Sequence, residues 1–130
     1  MMAKILIIDD DPDIVEAMKV VLESRNYQVK AAKTGEEGLR EMRRDKPELV
    51  ILDVMMETAD KGFDVAREIK LDPDYKHIPI LMLTAIKERT GLDFGKEAGD
   101  EYWLPVDDYC DKPLHPEELL SKVETLLKKR

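Results

Sequence analysis

Carboxylates gather at the ends of apolar runs in this chain. Asp9, Asp10 and Asp11 follow Lys4-Ile5-Leu6-Ile7-Ile8, and Asp53 follows Leu49-Val50-Ile51-Leu52. A hydroxyl, Thr84, ends Pro79-Ile80-Leu81-Met82-Leu83, and an ammonium, Lys112, comes just past the run from Val106 to Asp111. Short apolar runs rich in β-branched residues read as strands buried on both faces, the pattern of a parallel sheet. In such sheets ligands sit in the crevice outside the carboxyl ends of the strands, where these polar groups fall. Several carboxylates in one crevice repel each other unless a cation neutralises them. An all-oxygen ligand set favours a hard divalent ion such as Mg2+, with Mn2+ or another divalent ion as a substitute. A carboxylate nucleophile, the ion, Lys112 and the Thr84 hydroxyl together describe a cradle for a phosphoryl group, meeting the charge on its oxygens from several sides. An Asp carboxylate can itself accept phosphate as an acyl phosphate.

The elements that must position these groups are legible in the spacing. Asp11-Pro12 is a helix start, with Asp as N-cap and Pro at the first helical position. Ile14, Val15, Met18, Val21 and Leu22 then form an apolar stripe at helical spacing. Tyr27 to Ala31 alternates like a strand with a more exposed face, and Thr34-Gly35-Glu36-Glu37 has capping-box spacing for a helix through about Arg44. After the Asp53 strand, a helix is predicted from Phe63 to Leu71 with Val65, Ala66 and Ile69 inward. The Pro79 strand leads to a helix predicted over Lys87 to Ala98, although Gly91 and Gly95 each cost it about 1 kcal/mol against Ala. Residues Asp100 to Pro105 read as loop, Val106 to Asp111 as a short last strand, and Pro116 to Lys129 as a helix striped with Leu119, Leu120, Val123, Leu126 and Leu127. Strand and helix alternate five times, which implies an α/β sandwich with right-handed crossovers.

With 130 residues the chain is expected to form a single domain over 1–130. The net charge of −8 argues against direct nucleic-acid binding, since phosphates need Lys and Arg clusters. The one basic run, Lys128-Lys129-Arg130, complements the dipole at a helix C-terminus. No apolar stretch approaches the roughly 20 residues a bilayer requires, and no secretory signal is visible. The lone Cys110 excludes an internal disulfide, and the expected setting is cytoplasmic.

The chain resembles, over its whole length, the receiver domain of bacterial two-component response regulators. The pieces that carry the likeness are Ile5-Leu6-Ile7-Ile8-Asp9-Asp10-Asp11-Pro12, Leu52-Asp53-Val54-Met55-Met56, Leu83-Thr84-Ala85 and Tyr109-Cys110-Asp111-Lys112-Pro113, in order and at strand ends. The resemblance implies a flavodoxin-like five-stranded sheet in order 2-1-3-4-5 with helices on both faces. It also implies that Asp53 is phosphorylated by a phosphohistidine of a sensor histidine kinase or phosphotransfer protein. Asp10, Asp53 and the backbone carbonyl of Met55 would hold Mg2+, with Asp9 acting through a water. Lys112 would pair with the phosphoryl group, Thr84 would move to hydrogen-bond it, and Tyr109 would turn inward as the aromatic switch. The face built by the fourth and fifth predicted helices and the fifth strand would then change for a downstream protein partner. In the family, the residues two past the phosphorylated Asp and two past the Thr influence hydrolysis of the acyl phosphate. Met55 and Ile86 occupy them, and neither orients an attacking water, so a long-lived phosphoryl state without turnover is expected.

Two stretches depart from the family pattern. Glu57 stands where a Pro is usual, and Asp60-Lys61-Gly62 carries an extra residue. From Thr84 to Lys112 the chain is about half a dozen residues longer than usual, and such length in a compact domain is often functional. The apolar Tyr102-Trp103-Leu104 cluster within it is a candidate partner contact.

Plain structural readings compete with these assignments. Asp11 is explained as an N-cap alone, Tyr109 as packed core, Cys110 as a small buried strand residue, and His77 and His115 as surface or cap residues. A haloacid-dehalogenase-like phosphatase would instead use Asp9 as nucleophile in Asp9-x-Asp11, but its acidic pair ordinarily follows the Lys rather than preceding it. A flavodoxin-like cofactor binder would present Ser, Thr and Gly to a phosphate where this chain presents three Asp residues. A degenerate receiver acting as a phosphorylation-independent binding module would not need the complete acidic set. The chain ends just after the last predicted helix, so within it no output domain is expected.

Overall fold

A computed structural model describes residues 3–53, 59–84, 107–111 and 115–129. Their order is β1 (Lys4–Ile8), α1 (Pro12–Glu23), β2 (Gln28–Ala32), α2 (Gly35–Arg44), β3 (Leu49–Asp53), α3 (Ala59–Leu71), β4 (Ile80–Thr84), β5 (Asp108–Asp111) and α4 (Pro116–Lys129). The five strands are all parallel, in the order β2-β1-β3-β4-β5. The order reverses between β1 and β3, which opens a crevice at their carboxyl ends.

Period-two alternation divides the apolar strand residues between two cores. Leu6, Ile8, Val50, Leu52, Ile80 and Met82 face one side, packed with Met42 of α2 and Val65, Ala66 and Ile69 of α3. Ile5, Ile7, Leu49, Ile51, Leu81 and Leu83 face the other, packed with Met18 and Leu22 of α1 and Leu119, Val123 and Leu126 of α4. All five residues of β3 are buried, as its unbroken apolar run requires. The edge strand β2 is mostly exposed, which accounts for its mixed sequence.

Local chemistry sets the helix ends. The Asp11 carboxylate accepts from the backbone N–H groups of Asp13 (3.0 Å) and Ile14 (3.4 Å), so α1 starts at Pro12. Thr34 Oγ1 accepts from Glu37 N–H at 3.1 Å, and Glu37 reaches back to Lys33 N–H at 3.3 Å. The second bond lands one residue upstream of the Thr34 amide that a capping box uses. Asp45 closes α2 in an extended conformation and binds Lys4 of β1 (2.8 Å) and Lys30 of β2 (3.2 Å).

Several predicted boundaries move. Strand β2 begins at Gln28 rather than Tyr27, because Tyr27 N–H is used in the turn leaving α1, where it donates to Leu22 O after Asn26 at φ 68°. Helix α3 begins at Ala59, so Asp60-Lys61-Gly62 lies inside its first turns rather than in a loop. An acidic residue there favours the helix N-terminus, which helps offset a glycine cost of about 1 kcal/mol. Strand β5 begins at Asp108 rather than Val106, because Asp107 is tied to Ile80 by two bonds. Its N–H donates to Ile80 O at 2.9 Å, and its carboxylate accepts from Ile80 N–H at 2.7 Å. The helix predicted over Lys87 to Ala98, the Tyr102-Trp103-Leu104 cluster and Glu57 lie outside the described residues. Among the described residues, no helix is long and apolar enough to cross a membrane.

Candidate phosphoacceptor and metal site

The site is assembled at the switch point from the ends of β1 and β3. Ile8 pairs in register with Leu52, so the next residues, Asp9 and Asp53, leave neighbouring strands side by side. Asp9 is held by its backbone, with its N–H donating to Ala32 O at 3.0 Å. Its Oδ1 accepts from Asp11 N–H at 2.9 Å, which turns the chain toward α1. Asp10 is exposed at the rim, whereas Asp9 is 1% and Asp53 2% exposed, and these two are the buried charged residues among those described. Carboxylate oxygens of Asp9, Asp10 and Asp53 all lie within 4.8 Å of one another.

Such a cluster fits a hard divalent cation. The donors are all oxygen, they converge from three side chains, and two of them have left bulk water, so compensation of their charge matters most there. Few protein ligands and an exposed third carboxylate suit an ion that retains part of its hydration.

The sheet also places two further predicted residues. Thr84 is the last residue of β4 and pairs in register with Asp111, the residue before Lys112 in the chain. The Thr84 side chain and Lys112, Met55 and Ile86 lie outside the described atoms. Tyr109 is partly buried on β5 and packs against the α2–α3 core. Lys122 of α4 lies 5.1 Å from the centroid of its ring, donates to the Tyr109 carbonyl oxygen, and reaches the Asp108 carboxylate at 3.5 Å. Sequence spacing did not single out Lys122, because a contact across 13 residues depends on how α4 packs beside β5. Cys110 is buried beside it, and burial pushes its thiol pKa up to about 12, which removes it as a nucleophile at neutral pH. His77 and His115 are exposed.

Comparison with known proteins agrees with this fold. The family described as response regulator receiver domain matches residues 5–124. The alkaline phosphatase synthesis transcriptional regulatory protein PhoP of Bacillus subtilis is 38% identical over 126 residues, covering 97% of this chain and 49% of that protein. The DNA-binding response regulator MtrA of Mycolicibacterium smegmatis is 33% identical over 129 residues, covering 99% of this chain and 52% of that protein. This chain thus spans about half the length of the curated relatives it matches. The chemotaxis response regulator CheY4 of Vibrio cholerae superposes with a TM-score of 0.79 at 30% identity, covering 97% of this chain and 99% of that one. None of these likenesses favours a phosphatase or a flavodoxin-like cofactor binder. The fold, the three converging carboxylates and these likenesses agree that the chain belongs to the response regulator receiver domain family.

Proposed function

We propose that this receiver takes a phosphoryl group onto Asp53 from a phosphohistidine of a sensor histidine kinase or phosphotransfer protein. A carboxylate oxygen of Asp53 forms the new bond to phosphorus as the P–N bond breaks; the imidazole leaves with the electron pair and takes a proton from solvent. The observation that carries this reading is the convergence of Asp9, Asp10 and Asp53 within 4.8 Å at the ends of adjacent parallel strands. Asp10, Asp53 and the Met55 carbonyl would hold Mg2+, and Asp9 would act through a water. Bound there, the ion would neutralise charge on the phosphoryl oxygens. Lys112 would pair with the phosphoryl group, and Thr84 would hydrogen-bond it.

Histidine kinases are the partners of response regulator receivers. Glu57, which stands where a Pro is usual, would be one determinant of which kinase serves this one. For output, Tyr109 would turn inward as Thr84 moves, and the face around β5 and α4 would change for a downstream protein. The net charge of −8 disfavours DNA contact by these residues themselves. The relatives named as DNA-binding are about twice as long as this chain. The Met55 and Ile86 side chains carry no polar group to orient water, so the acyl phosphate would be long-lived and the protein would not be a turnover enzyme.

The test is Mg2+-dependent labelling with acetyl phosphate. Wild type is expected to gain one phosphoryl group that base and hydroxylamine release, and to keep it after Mg2+-containing buffer exchange, while Asp53→Asn gains none. Labelling of Asp53→Asn with loss in Asp9→Asn would instead support the phosphatase-type nucleophile. Rapid spontaneous loss from wild type would contradict the assigned roles of Met55 and Ile86.

A further inference from the structure

Gly38 lies inside α2, where Ala forms helix more readily, so its presence needs a packing reason. It is buried. A Cβ built there would lie 2.4 Å from Ile8 Cδ1, 2.7 Å from Ile8 Cγ1 and 3.4 Å from Ile8 Cγ2. The helix therefore rests its backbone directly on one side chain of β1. Ile8 is fully buried in the core it shares with Ala32, Met42 and Leu52, and adding atoms to such a core forces off-rotamer side chains and backbone shifts.

The residue under Gly38 is the one on which the acidic cluster is built. Ile8 immediately precedes Asp9 and pairs in register with both Ala32 and Leu52. Leu52 immediately precedes Asp53, and Ala32 O holds the Asp9 N–H. A push on Ile8 thus reaches Asp9 through the chain and both of Asp9's neighbours through the sheet.

We infer that Gly38 is a positioning residue for the Asp9–Asp10–Asp53 cluster: by letting α2 close onto Ile8, it sets where β1 delivers its two carboxylates relative to Asp53. The inference rests on the reading of that cluster as the Mg2+ and phosphoacceptor site. Gly38 touches neither ion nor phosphate; it acts through Ile8. Sites of this kind need support to within about 0.5 Å, and an added methyl 2.4 Å from Ile8 Cδ1 forces its surroundings to shift.

The experiment compares Mg2+ affinity, by calorimetric titration of the full chain, in wild type, Gly38→Ala, Ile8→Val and Gly38→Ala/Ile8→Val, with circular dichroism confirming that each is folded. Gly38→Ala is expected to bind Mg2+ roughly tenfold more weakly, the lower end of what losing outer support costs a metal site. Ile8→Val removes the nearest atom, Cδ1, but keeps Cγ1 at 2.7 Å, so the double variant is expected to recover part of the lost affinity. A merely structural role would lower the melting temperature of Gly38→Ala and leave the Mg2+ affinity of the folded protein unchanged; that result overturns the inference, as does a double variant no better than Gly38→Ala. Should Gly38→Ala not fold, Ile8→Met presses a longer chain on the same helix with Gly38 retained. Weaker Mg2+ binding in that variant supports the inference and unchanged binding overturns it. A wild type that binds no Mg2+ overturns the reading of the cluster itself, a result distinct from equal binding by wild type and Gly38→Ala.

Discussion

Asp9 and Asp53 have almost no exposed surface, yet their oxygens share a space within 4.8 Å with those of Asp10. Three like charges so placed oppose folding when no cation is bound. Removing one of them relieves that repulsion: without Mg2+, Asp53→Asn is expected to unfold at a higher urea concentration than wild type. Adding Mg2+ should stabilise wild type more than the variant, by the linkage between ligand binding and folding. Cys110 gives a second prediction at this scale. A thiol with a pKa of about 12 is ionised in only about one molecule in ten thousand at pH 8. Labelling by a disulfide reagent should be at least roughly 100-fold slower in the native protein than in urea, where the thiol titrates normally. The acidic cluster could be read from the sequence because each carboxylate ends an apolar run, and a parallel sheet brings such ends together. The grip of Lys122 on Tyr109 and the seat of Gly38 on Ile8 could not, since both depend on how a helix settles against the sheet.

Two ties hold elements together away from the site. Asp107 joins the start of β5 to β4 and α3. Its carboxylate accepts from Ile80 N–H (2.7 Å) and from Lys70 Nζ (2.8 Å), and Lys70 also donates to Ile78 O (3.0 Å). Ile80 is fully buried, so Asp107→Ala would leave its N–H without that acceptor. The expected loss is about 1–3 kcal/mol in urea unfolding, most of it from that amide rather than from the half-exposed ion pair. This bond also explains why β5 is shorter than its apolar pattern suggested: Asp107 acts as a cap to the strand, and a side-chain-to-backbone bond leaves no periodic trace. Asp45 is the second tie, linking the end of α2 to β1 and β2 through Lys4 and Lys30. Its hydrogen bonds to Lys4 and Lys30 hold its pKa below the ordinary 3.8. A depressed folded pKa means the stabilisation is complete above the unfolded value and fades as pH falls through the folded one. The difference in urea midpoint between wild type and Asp45→Asn should therefore be largest near pH 7 and shrink as pH falls below 3.8.

The whole molecule is a sheet between two cores, and its sequence already carried both periods. Four strand runs and the stripes of α1, α3 and α4 all point to the faces they occupy. Their regularity is why the order of elements was legible while their ends moved by one to four residues, since ends are decided by single hydrogen bonds. Ile51, at the centre of β3 and fully buried, tests the layering: Ile51→Ala should cost about 2–5 kcal/mol, the range for a truncated core residue. That core exists to hold one carboxylate in place, and where phosphate lands on the chain is the central question. The most direct measurement is borohydride trapping of the protein after Mg2+ and acetyl phosphate, followed by peptide mapping of the reduced residue. Conversion is expected at Asp53 alone; conversion at Asp9 or Asp10, with Asp53 intact, would contradict Asp53 as the phosphoacceptor.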